Sequence, residues 1–165
     1  MSALSELLAG AGPWEGTSTL QDPATHAPDP SASTAQIQSV LDGRFARVDY
    51  TWSYRGTPQA GSLLIGDDRT GGMTACWIDS WHMGNGIMLM RGRDEGDSKL
   101  ELLGSYPAGD GSPDWGWRIA VTPKAGASLH VVMHNIDPAG REYLAVDARY
   151  AHAVSPAPRD LALHR

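Results

Sequence analysis

A strict period of two in short runs is what most constrains this chain. Across residues 44–55, Ala46, Val48, Tyr50, Trp52 and Tyr54 fall on one face and Arg47, Asp49, Thr51, Ser53 and Arg55 on the other. An amphipathic helix repeats every 3.6 residues, so this alternation specifies a strand with one face buried and one in water. Comparable runs occupy residues 14–20, 34–41, 60–66, 74–83, 87–92, 99–106, 115–122, 128–136 and 142–152, with Gly, Pro or Asp chemistry at the turns between them. About ten strands at short, even spacing, with no helical pattern between them, predict an all-β fold and exclude a parallel sheet as the main plan. Successive hairpins of this length close most economically into a single antiparallel up-and-down β-barrel, because closure removes unpaired edges.

Two departures from the strand pattern are expected. Residues 2–11 form a short helix, with Ser2 or Ser5 as cap and Leu4, Leu7 and Leu8 on one face, ended by Gly12 and Pro13. Residues 22–33 hold Pro23, Pro28 and Pro30 among Asp, Ser and Thr, which predicts a long loop able to serve as a lid. Residues 1–154 then make one barrel domain. Residues 155–165, opening with Ser155-Pro156-Ala157-Pro158, make a tail that ends in a loosely held helical turn.

Residues 74–92 are the centre of interest, because two apolar runs flank Asn85-Gly86, the pair that a two-residue hairpin turn favours. With that turn, Met83 opposes Met88, His82 opposes Leu89, and Trp81 opposes Met90. One face then carries Trp77, Asp79, Trp81, Met83, Met88 and Met90, and the other Cys76, Ile78, Ser80, His82, Leu89 and Arg91. A carboxylate lies between two tryptophans.

Composition narrows the function. Thirteen Lys plus Arg against 19 Asp plus Glu give a net charge of −6 with no basic cluster, which argues against a nucleic-acid surface. No apolar run approaches the ~20 residues of a membrane-spanning helix. Cys76 is the lone cysteine, so neither an intrachain disulfide nor a cysteine-based zinc site can be built. The amino end has Glu6 where a secretory signal would be basic, so a cytoplasmic location is expected.

Two motifs add a resemblance. Gly12-Pro13-Trp14 resembles the G-x-W that opens lipocalins and related calycin barrels, in which the tryptophan caps one end. Leu41-x-Gly43-Arg44-Phe45, Gly56, Gly61, Ile65-Gly66-x-Asp68, Trp77-Ile78-Asp79-Ser80 and Gly86-Ile87-Met88 resemble a bacterial lipocalin-like family known as domain of unknown function 1579. That resemblance implies a barrel with an internal cavity and no established activity. Gly12, Trp14 and Gly16 also match the G-x-W-x-G of nitrobindin, a haem-binding barrel, although Ser18 departs from it. It implies haem as an alternative, with His152 or His164 as axial ligand; the residues themselves call for no cofactor.

The function expected is the binding of a small apolar or amphipathic molecule inside the barrel, with Tyr50, Trp52, Trp77, Trp81, Met88, Met90 and Trp117 as walls and Asp79 as a polar fixture. Inward burial would raise the Asp79 pKa. Two alternatives stand beside it: an enzyme using Asp79 or His82 as acid or base, and a homodimeric interaction module with a filled barrel. His82 is expected at the surface, with no acidic residue to orient it. Met73, Met83 and Met133 are read as either pocket lining or core. His130 and His134 share a strand face roughly 13 Å apart, too far to chelate one ion. Arg149 is expected to lie over Trp14 as a cation-π contact, with Arg118 as the competing candidate.

Overall fold

The computed structural model describes residues 2–124 and 126–153. Ten strands form one closed antiparallel barrel: β1 (Gly12–Gln21), β2 (Pro28–Val40), β3 (Phe45–Tyr54), β4 (Thr57–Asp67), β5 (Met73–Asp79), β6 (Met88–Asp94), β7 (Leu100–Tyr106), β8 (Trp115–Lys124), β9 (Ser128–Ile136) and β10 (Glu142–His152). Each strand pairs with its neighbour in sequence, and β1 seals the ring by pairing with β10, Trp14 opposite His152 and Leu20 opposite Val146. The up-and-down plan follows from the even turn spacing. The anticipated tail and its helical turn, together with His164, lie outside the described residues.

One end of the barrel is closed by helix α1 (Ala3–Ala9). Ser2 caps it by accepting from the Ser5 backbone N–H at 3.1 Å, and Gly10 ends it. Ala3, Leu4 and Leu7 are buried and pack toward β2, β3, β4 and β8, while the Ala3 N–H donates to Asp94 Oδ2 at 2.7 Å. Trp14 lies beneath the helix, 1% exposed, with its indole N–H donating to the Gly10 carbonyl at 2.9 Å. Its aromatic neighbour is His152, edge-on at 4.7 Å. Neither arginine stands there. Arg149 points outward to Asp147, because it has the opposite strand parity to the buried Ala148 and Tyr150, and Arg118 pairs with Glu101 and Glu142.

Strand β2 begins earlier than its prolines suggest, and the expected long loop shrinks to the turn at Asp22–Ala27. Pro28 and Pro30 pair with Gln21 and Thr19 of β1, whereas the β2–β3 ladder starts only at Thr34. Alternate N–H groups of a strand face opposite neighbours. Pro28 and Pro30 share the parity of Thr34, whose N–H points at β3, so the donors they lack would face a stretch where no ladder remains. Proline is tolerated on such an edge.

The central hairpin also differs from expectation. Trp77 opposes Met88 and Cys76 opposes Leu89. A two-residue turn at Asn85-Gly86 would set Trp77 opposite Asp94, so the register differs by six positions (94 − 88). Six is even, and each residue in the ladder therefore keeps its face: Trp77, Met88 and Met90 point in, and Ile78 and Leu89 point out. Residues 80–87 form a looped stretch of wall outside the ladder.

Inward residues of the lower barrel pack solidly. Ile37, Ile65, Met90, Leu100, Leu102, Ile119, Val121 and Leu129 are almost wholly buried. Because Leu7 of α1 is completely buried against this layer, Leu7→Ala should lower unfolding stability by about 3 kcal/mol through the cavity it leaves. Urea denaturation followed by tryptophan fluorescence checks this, with the half-buried Leu8→Ala expected to cost clearly less.

Candidate functional site

The open end of the barrel is built around Asp79, the last residue of β5. Cα pairing sets Tyr50 of β3 opposite Gly61 of β4, and Gly61 opposite Asp79. Gly61 is what lets the outer two meet: a Cβ there would lie 2.2 Å from the Tyr50 hydroxyl. With that space free, Tyr50 crosses the intervening strand and donates to Asp79 Oδ2 at 2.8 Å.

The carboxylate is met by donors on both oxygens. Oδ2 also accepts from the Trp52 indole at 3.2 Å. Oδ1 accepts from the backbone N–H groups of Trp81 and His82, each at 2.9 Å, and lies 3.1 Å from His82 Nδ1. The Met83 N–H bonds to the Asp79 carbonyl at 3.0 Å. Asp79 therefore ends β5 by capping a tight turn, which is why the chain leaves the ladder well before Asn85-Gly86. A carboxylate holding this many donors is ionised, which assigns the proton facing it to His82 Nδ1.

Burial does push the Asp79 carboxyl up, as expected of an inward carboxyl, but the hydrogen bond and charge interaction with His82, the His82 backbone N–H and Tyr50 outweigh it. The group is held below its ordinary range, not above it. Tyr50 moves the other way: burial and the adjacent Asp79 charge raise its pKa well above normal.

His82 is the residue whose position the sequence misled most. Strict alternation assigns it outward, but the turn capped by Asp79 swings it inward, and its side chain is only 9% exposed. Its ring lies 4.7–5.7 Å from those of Trp52, Trp77, Trp81 and Trp117. Trp77 stacks on Trp117 at 5.4 Å and donates its indole N–H to the Tyr50 hydroxyl at 2.8 Å. Among the described residues, His82 Nε2 and the Trp117 indole nitrogen are both buried with no hydrogen-bond partner.

Above this cluster opens a cavity of about 980 Å3, lined by Trp77, Trp81, His82, Met83, Met88, Tyr106, Trp115 and Trp117 in its apolar part and by Gln21, Asp22, His26, Asn135, Glu142 and Tyr143 among its polar residues. Of the anticipated walls, Trp77, Trp81, Met88 and Trp117 border it. Tyr50, Trp52 and Asp79 form a hydrogen-bonded group beside it, and Met90 belongs to the packed core with Met73 and Met133. Below, between Tyr50, Trp77 and Tyr150, the interior leaves only about 30 Å3, room for one or two waters. Another hollow of about 660 Å3 lies at the outer wall, lined in part by Thr34, Gln36, Asp49 and Ser62. Trp14 is its one tryptophan among the described residues, and no methionine lines it.

Several rim residues escaped sequence reasoning. Asp22, 4% exposed, accepts from the Ala24 N–H and from Arg55, and lies within reach of the Tyr54 hydroxyl. Tyr106 donates to Asn135 Oδ1 at 2.6 Å. The inward parity of Tyr106 with Leu102 was readable; the Asp22 turn was masked by the prolines around it. His130 bonds Asp147 on the outside of β9 and β10. His152 stands at the closed end, so its ring does not fit a haem held in the mouth cavity.

The architecture defines a closed ten-stranded antiparallel barrel with one plugged end and an aromatic pocket at the other. The chain belongs to the family described as "Protein of unknown function (DUF1579)", whose model matches residues 5–152. Among solved structures it is similar to Rv2717c from M. tuberculosis, at 14% identity and a TM-score of 0.59, over 92% of this chain and 98% of that one. That likeness shows the shared fold. No curated protein matches the sequence.

Asp79→Asn places an amide among five donors and should cost about 3 kcal/mol at neutral pH. Because the folded-state pKa is depressed, the stability this group contributes is full above its unfolded pKa and is lost as pH falls through the folded value. The gap between wild type and Asp79→Asn in urea midpoints should therefore be constant near pH 7 and shrink below about pH 4.

Proposed function

We propose that this protein binds a small apolar or amphipathic molecule at the open end of its barrel, as a lipocalin-like binding protein of the calycin group. The observation that carries the reading is the cavity of about 980 Å3 whose deep wall is made of tryptophan and methionine side chains. Its volume is at the upper end of what small-molecule sites use, and thioethers and indoles offer apolar surface that adapts to a guest. The calycin reading rests on Gly12-Pro13-Trp14, with Trp14 buried beneath the closing helix as such barrels place it.

Ala145 of β10 borders the cavity, so Ala145→Trp fills it from the wall. Calorimetric titration with naphthalene should saturate for the wild type and give no heat for Ala145→Trp at an unchanged unfolding midpoint. Equal binding by both proteins would place the guest elsewhere. Native mass spectrometry of freshly purified protein, before and after organic extraction, should show a small adduct that extraction removes.

A second reading, catalysis, has one observation in its favour: Asp79 orients His82 through Nδ1 and leaves Nε2 without a partner among the described residues. That is how a general base is held. It requires that hydrolysis of p-nitrophenyl acetate exceed that of His82→Gln; equal rates in the two proteins dismiss it.

A further inference from the structure

Resting on the binding reading, we infer that the guest carries an uncharged hydroxyl on an otherwise aromatic or apolar body, and that this hydroxyl sits between His82 Nε2 and the Trp117 indole N–H. Among the described residues both nitrogens are buried and unpartnered, and leaving a buried polar group unsatisfied is costly enough that such groups normally have a partner. Their rings border the same cavity, with centroids 5.2 Å apart at 57°.

The two nitrogens ask for opposite things. The indole N–H only donates. In the neutral imidazole the Asp79 carboxylate holds the proton on Nδ1, so Nε2 is left as an acceptor. A ketone oxygen satisfies the indole but gives nothing to the imidazole, and an ammonium group does the reverse. A hydroxyl donates to one and accepts from the other.

A second observation removes the commonest amphiphile head group. Among the described residues the cavity is bordered by Asp22 and Glu142 but by no Lys or Arg. A carboxylate buried there would find no Lys or Arg to pair with and would meet two acidic side chains, a cost that an uncharged alcohol or phenol avoids. Access is the remaining requirement. His82 stands on the stretch between Asp79 and Met88, outside the strand ladder, and both His82 and Trp117 line the open cavity.

Three probes of one shape test this by calorimetry at pH 7: naphthalene, 2-naphthol and 2-naphthoate. A hydroxyl makes the molecule more soluble in water, so without polar partners 2-naphthol binds more weakly than naphthalene. With the two bonds described, it should bind about tenfold or more tightly than naphthalene, and 2-naphthoate should bind worst. Trp117→Phe keeps a ring and removes the N–H, so it should erase most of the 2-naphthol preference and leave naphthalene unchanged. If that variant does not fold, the wild-type series decides alone. Equal affinities of naphthalene and 2-naphthol, or a preference for 2-naphthoate, overturn the hydroxyl and leave the cavity reading standing. Binding by none of the three overturns both.

Discussion

The Asp79 carboxylate is the interaction on which the open end depends. A buried charge inside a wall of indoles is tolerated only when its lone pairs are met, and here they are met by two backbone N–H groups, a phenol, an indole and an imidazole. Each of those donors is thereby fixed in place. Trp52 and Tyr50 are tied to the wall, Trp77 is tied through Tyr50, and the chain after Asp79 is folded back so that Trp81 and His82 enter the mouth. The aromatic character of the cavity is thus arranged by one polar group that does not itself line it.

The two ends of the barrel solve different problems. At the closed end apolar surface is covered by apolar surface: α1 lays Leu4 and Leu7 over the ring, and the one polar atom of Trp14 is answered by the Gly10 carbonyl. At the open end indoles and methionines border open space, and hydrogen bonds rather than close packing keep them in position. The middle belongs to the packed half, with little room between Tyr50 and Tyr150. This molecule combines a filled core with a pocket, where the sequence had posed them as alternatives.

How much of this the sequence disclosed depends on the kind of signal. Strand parity is a local property, so the inward positions of Trp77, Met88, Met90, Tyr50 and Trp52 were legible even though the hairpin register was not, because an even displacement leaves every face unchanged. The register failed because Asn85-Gly86 competed with a turn set by a side chain, and the Asp79 cap won. His82 was lost for the same reason: parity has no meaning once a strand has ended. The role of Gly61 is a third kind of information, since the meeting of Tyr50 and Asp79 across it spans three strands and no local pattern encodes that. The prolines of β2 misled because their tolerance depends on which neighbour is absent, a fact of the assembled sheet.

The pairing of β1 with β10 carries a kinetic consequence. Nine of the ten strand pairings join neighbours in sequence, and each needs only a short turn to close. The tenth brings Trp14 to His152 and requires nearly the whole polypeptide to be gathered first. Loop-closure entropy makes such a contact late and slow. Closing this seam therefore carries the largest ordering cost of the ten pairings, and β1 and β10 each present an unpaired edge until it forms.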